Sequence, residues 1–176
     1  MDSSVSTSAH PLFKTAARFG LGAGLLSIGW ELGLYLTGNN PYGPKRLLAT
    51  LFGVGAVLLS QWYVRRYYEA EGIGIGKALG VGVLTVLITA LLSSAGIYGL
   101  ARMAGPEAIQ RHLAEMEQLL KANKAEFLKQ ANGKEQYELT KQNLAQTPQA
   151  FAADDFKNKL LFGLLICLPG GIFFRK

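Results

Sequence analysis

"ALGVGVLTVLITALLSSAGIYGLA", residues 78–101, runs for 24 residues without a charged side chain. A helix crosses a hydrocarbon layer of about 30 Å in roughly 20 residues, so this stretch can span a bilayer unaided. Similar runs lie on both sides of it. Leu47–Val64 has 18 residues and no charge, and Phe19–Thr37 has 19 with Glu31 as the only one. Leu160–Phe174 adds 15 uncharged residues. Phe156 and the stems of Lys157 and Lys159 lengthen that last run, because lysines reach from apolar surroundings to the headgroups. A soluble domain of 176 residues distributes its apolar positions along amphipathic elements, whereas here they form blocks with the charges gathered between them. The expected fold is all-α, a four-helix transmembrane bundle with spans at 19–37, 47–64, 78–101 and 160–174.

The flanks agree with a membrane. Trp62, Tyr63, Tyr67 and Tyr68 surround Arg65 and Arg66 at the end of the second run, which is the chemistry of an interfacial belt. The net charge of +6 comes largely from such basic flanks and is no footprint for nucleic acid. The tail, residues 1–18, is serine-rich, and no small-x-small cleavage site follows the first run, which is therefore expected to be retained. Cys167 is the single cysteine, so no intrachain disulfide can form. With four spans both termini share a side, carrying Lys14, Arg18, Arg65, Arg66, Lys77, Arg175 and Lys176. Against these seven stand Lys45, Arg46, Arg102, Arg111, Lys157 and Lys159, so the positive-inside rule places both termini in the cytoplasm.

Residues 102–159 carry nine basic and eight acidic side chains and form the expected extramembrane region, a helical hairpin between spans three and four. Gly105-Pro106 ends the third span and opens a new helix. Ile109, Leu113, Met116, Leu120 and Phe127 then recur at three and four spacing, with Asn123 filling the gap in one apolar seam. That seam packs within the hairpin or on the bilayer surface. Alternatively, it forms a coiled-coil contact between subunits, with Asn123 setting register. Asn132-Gly133 breaks the helix, and Thr147-Pro148 reads as an N-cap and first turn leading to the fourth span.

Motifs for catalysis are weak. "GIGIGKA" (72–78) lacks the first glycine and the Ser/Thr of a phosphate-binding loop, with Glu71 and Ala78 in their places. His10 and His112 have no second histidine or cysteine at ligand spacing, so no metal is expected. Arg65-Arg66 follows two spans and is no export signal. No Ser/His/Asp order suggests a nucleophile. The chain is not expected to be an enzyme or to hold a cofactor.

What distinguishes the spans is a small or polar stripe on each of three: Gly20, Gly24, Ser27, Glu31 and Tyr35; Gly82, Thr85, Thr89, Ser93 and Gly96; Gly163, Cys167 and Gly170. Helices in lipid associate through close backbone approach and polar contacts, so these faces should form the bundle interior. A charged side chain at a helix centre costs roughly 2.5–3.5 kcal/mol, which turns Glu31 inward. Depth counting in antiparallel helices puts Gly53, Ser93–Ser94 and Cys167 at its level, with no basic residue among them. Glu31 is then expected to carry its proton and to donate a hydrogen bond to Ser93, Ser94 or a third-span carbonyl, and Glu31, Ser93 and Ser94 are the candidate intramembrane polar site. Two functions fit: a structural or partner-binding bundle, or a small transporter or channel component using Glu31. The expected partners are the lipid bilayer and a membrane protein or second copy of the chain.

Residues 71–121, "TPQAFA" (147–152) and "FGLLICLPGGIFFRK" (162–176) resemble domain-of-unknown-function family 4199. Proteins of that family similarly begin with a glycine-containing span that ends in a Tyr-x-Thr-Gly-like stretch, matched here by Tyr35, Thr37 and Gly38. An aromatic linker, a Gly-rich third span running into a charged helix, and a Thr/Ser-Pro entry to a final span with basic residues complete the likeness. The resemblance implies a small multispan protein of a bacterial inner membrane and supplies no functional residues. The chain departs from the pattern at "AADDFKNKL" (152–160), where the family is more apolar, and at Pro169-Gly170-Gly171.

Overall fold

The computed structural model describes residues 9–69, 71, 74–144 and 146–174, with Ala9 and His10 as backbone only. The serine-rich tail before residue 9, most of the glycine turn at 70–73, and Arg175-Lys176 lie outside the described residues. The elements in chain order are α1 (Ala9–Leu36), a single 3₁₀ turn (Pro44–Leu47), α2 (Leu48–Tyr67), α3 (Ile75–Ala122), α4 (Lys124–Leu128), α5 (Gly133–Gln142) and α6 (Pro148–Phe173). There is no strand among the described residues. Four helices (α1, α2, α3 and α6) are long and apolar enough to cross a membrane.

Their packing is up-down-up-down. Ala16 of α1, Val64 of α2, Ala78 and Val81 of α3 and Phe174 just after α6 cluster at one end, which is therefore the end of both termini. Ile97, Leu100 and Ala101 of α3 cluster with Tyr42 and Phe151 at the other. α3 is central, packing against α1, α2 and α6, and α2 also touches α1 and α6. α1 and α6 share little backbone contact and stand at opposite corners. Outward positions such as Leu25, Leu51, Leu91, Leu161 and Leu165 are exposed, as lipid-facing residues must be. Inside, the expected stripes of α1 and α3 are buried at Gly20, Gly24, Ser27, Glu31, Gly82, Thr85, Thr89 and Ser93.

Two features differ from expectation. α6 begins at Pro148, where Thr147 Oγ1 accepts the Ala150 N–H at 3.1 Å. Residues 148–159, expected in the outer loop, are thus the first three turns of the fourth helix. Its inward face repeats every fourth residue: Phe151, Asp155, Lys159, Gly163 and Cys167. The seam of the outer helix also turns out differently. α3 continues past the membrane through a break at Gly105 (φ 75°, ψ 179°), a conformation for glycine that also meets the extended requirement of the residue before Pro106. It stops at Ala122, with Asn123 at the corner donating to the Leu119 carbonyl at 2.8 Å. Asn123 therefore stands at the end of the helix, as its C-cap. α4 and α5 fold back, joined by Phe127 against Tyr137 edge-on at 5.8 Å. Ala108, His112 and Leu120 are the buried positions of the extension, while Ile109, Leu113 and Met116 are half-buried.

Candidate functional site

The apolar bundle encloses a cluster of four charges. Asp155 and Lys159 are one turn apart on α6, which puts both on its inward face. Lys159 Nζ lies 2.5 Å from Asp155 Oδ1 and donates to Glu31 Oε1 of α1 at 3.3 Å. Ser93 of α3 donates its hydroxyl to Asp155 Oδ2 at 2.8 Å. Arg46, in the 3₁₀ turn before α2, brings Nε to 3.9 Å from Asp155 Oδ1. Glu31, Asp155, Lys159 and Arg46 are 1%, 2%, 4% and 9% exposed.

Two acidic and two basic side chains balance formally, charge for charge. Burial of an isolated ion costs several kcal/mol, and only mutual attraction with good hydrogen bonding offsets it. Lys159 is the hub because its ammonium touches both carboxylates. The same contact crosses the long diagonal of the bundle, tying α1 to α6 where their backbones barely meet.

Glu31, Ser93 and Ser94 were the residues expected to meet here. Glu31 and Ser93 both belong to the cluster but do not bond each other, since Asp155 takes the Ser93 hydroxyl. Ser94 does not belong: its hydroxyl turns back to the Leu91 carbonyl at 3.0 Å. The expectation that no basic residue reaches the depth of Glu31 is wrong. Depth counting took the fourth span to start at 160 and set Cys167 opposite Glu31. With α6 starting at Pro148, the residue opposite is Lys159, two turns earlier. Glu31 Oε1 accordingly accepts from the Lys159 ammonium, and no bond joins Glu31 to Ser93 or Ser94. Sequence reasoning missed Arg46, Asp155 and Lys159. The available signal was Asp155 and Lys159 at i, i+4 beyond the Thr147-Pro148 helix start.

Towards the opposite end, Gln61 of α2 makes a second polar joint. Its Nε2 donates to the carbonyls of Ala78 in α3 and Cys167 in α6, both at 3.1 Å. Thr85 donates to Ser60 Oγ at 3.1 Å between them. These contacts replace the hydrophobic driving force that helices in lipid lack.

Beyond the charged cluster, the outer helix is latched to the bundle. Tyr42 stacks on Phe151 at 4.3 Å, and the His112 ring sits edge-on to Phe151 at 5.2 Å and to Tyr42 at 5.8 Å. Asn40 orders this group. Its Oδ1 accepts the Tyr42 backbone N–H at 2.9 Å, which turns Nδ2 towards Glu115 Oε2 (2.8 Å) and His112 Nδ1 (3.0 Å). Two N–H groups cannot face each other, so His112 Nδ1 accepts and its proton is assigned to Nε2. Burial, and after it the Arg46 charge, holds His112 below its usual range, with Glu115 opposing. The unfolded histidine, with an ordinary value of about 6.5, therefore takes up a proton before the folded one does. The latch should be fully stable above that pH and weaken as the pH falls through it. Corrected hydrogen-exchange protection of 106–122 should be lower at pH 5.5 than at pH 7.5, and His112→Gln should erase the difference. Equal wild-type protection at both values would contradict the latch.

Four spanning helices around a closed, charge-balanced centre define a multi-pass helical membrane protein. Within that class, the chain belongs to the family described as protein of unknown function (DUF4199), which matches residues 18–176. No curated protein and no solved structure matches it.

Proposed function

We propose that the protein is a non-catalytic, partner-binding bundle in which the charged cluster braces the helices under an extramembrane helical hairpin. The observation that carries this reading is the closure of the cluster. Its acidic and basic members balance formally, they come from α1, the 3₁₀ turn, α3 and α6, and none is more than 9% exposed. A conducting site needs a group that exchanges protons or ions with water, and such enclosure opposes exchange. Buried ionic groups of this kind can specify one helix arrangement among several apolar alternatives. We place the protein in a bacterial inner membrane with both termini cytoplasmic, so that the hairpin meets its partner or a second copy on the opposite face.

One observation favours the rival role, a small transporter or channel component. Glu31 Oε2 is buried with no hydrogen-bond partner among the described residues. Purified protein in liposomes loaded with a pH-sensitive dye separates the two. On the brace reading, wild-type vesicles pass protons no faster than empty ones. Proton flux that Glu31→Gln abolishes would replace that reading with transport. Orientation is tested by a cysteine at Ala125 in a Cys167→Ser background. It should react with an impermeant thiol reagent only from the non-cytoplasmic side, and labelling only from the cytoplasm would invert the topology.

A further inference from the structure

At the end of the bundle that carries the hairpin, a cavity of about 620 Å³ lies between the α3 extension, α5 and the start of α6. Its walls are apolar at Met116, Phe127, Leu139 and Phe151. Tyr42 and Arg46 also line it, though they are only 5% and 9% exposed. The Tyr42 hydroxyl and Arg46 Nη1 are both buried, and neither has a hydrogen-bond partner among the described residues. Buried polar groups are ordinarily satisfied, so two orphans beside one cavity point to a missing acceptor. Burial, and after it Tyr35, pushes the Tyr42 phenol up to about 12 against an opposing Arg111, which keeps its O–H a donor. His112 adds the Nε2–H assigned above to the same lining.

We propose that this cavity binds an amphiphile with a singly charged carboxylate head, held by Arg46 and Tyr42, with its apolar body against the Met116, Phe127 and Leu139 wall. A guanidinium and a phenol in the lining of one otherwise largely apolar cavity match the usual division of labour in a ligand pocket. The head carries one charge because Arg46 is already shared with Asp155 at 3.9 Å. Asp154, also in the lining, opposes a second negative charge, which disfavours a phosphate dianion. Arg46 stands where the 3₁₀ turn enters the membrane, so an amphiphile in the adjoining leaflet has its head at the right level. Through Arg46 the site rests on the charged cluster staying paired, whereas Tyr42 makes no hydrogen bond to that cluster and tests the site separately.

The test uses the full chain in lipid nanodiscs and a fatty acid bearing a photoactivatable diazirine near its tail. Labelled peptides should map to 116–144, and sodium dodecanoate should compete where dodecanol and dodecyl phosphate do not. Tyr42→Phe removes an unpartnered buried hydroxyl, so the fold should keep or gain thermal stability while affinity for the probe falls about tenfold. Leu139→Trp, at a position 48% exposed and on the cavity wall, should block labelling without touching the polar end. Equal competition by dodecyl phosphate would overturn the carboxylate assignment. Label confined to lipid-facing helices, or affinity unchanged in both variants, would overturn the site.

Discussion

Lys159→Met should be among the most damaging single substitutions in the protein, lowering stability by about 3–5 kcal/mol. Methionine fills nearly the same volume, so packing is not the cause. The loss comes from charge: Glu31 and Asp155 would remain buried, with Arg46, 3.9 Å from Asp155, as the only cation left. A compensating change makes the explanation testable. Glu31→Leu in the same chain removes one of the stranded carboxylates and leaves Arg46 and Asp155 as a neutral pair. The double variant should recover most of the loss, with a coupling of about 2 kcal/mol between the two sites. Unfolding of reconstituted protein by a graded denaturing detergent would measure the four corners of this cycle. Additive losses would show that Lys159 and Glu31 do not act on each other.

The second large effect is expected at Gly163, one turn beyond Lys159 on the same face of α6. A Cβ there would lie 2.5 Å and 2.8 Å from the two methyl groups of Val86. Valine is β-branched and holds essentially one rotamer in a helix, so it cannot swing aside. Gly163→Ala should cost about 1–3 kcal/mol by overpacking. Gly163→Ile should do worse, because pushing α6 off α3 also draws Lys159 away from Glu31. The matched control is Gly80→Ala on α3, where an added Cβ meets nothing within 4 Å. Relief of backbone entropy should make that change neutral or mildly stabilising. If Gly163→Ala behaves like Gly80→Ala, α3 and α6 are not in close contact at this point.

Much of this architecture is legible in the chain because its causes are local. An uncharged run of 24 residues crosses a bilayer whatever else surrounds it. Gly105-Pro106 bends α3 through constraints internal to two residues, and Thr147 caps α6 by reaching an N–H three positions on. The stripes of α1 and α3 follow from helical periodicity and the scarcity of polar groups in lipid. Glu31 was placed inward for that reason, and inward is where it lies.

The register of α6 against α1 was decided only in three dimensions. Hydropathy along a chain treats Lys159 as the boundary of a span, because a lone lysine in oil is costly. The cost disappears from the account once Glu31, 128 residues away, and Asp155 both meet its ammonium. Arg46 reads as a flank of the second span for the same reason, and its contact with Asp155 exists only after α6 has docked. Whether a charge can be buried depends on its partners, and here the decisive partners belong to helices that scarcely touch. Composition fixes which segments enter the membrane; the tertiary packing determines which charges enter with them.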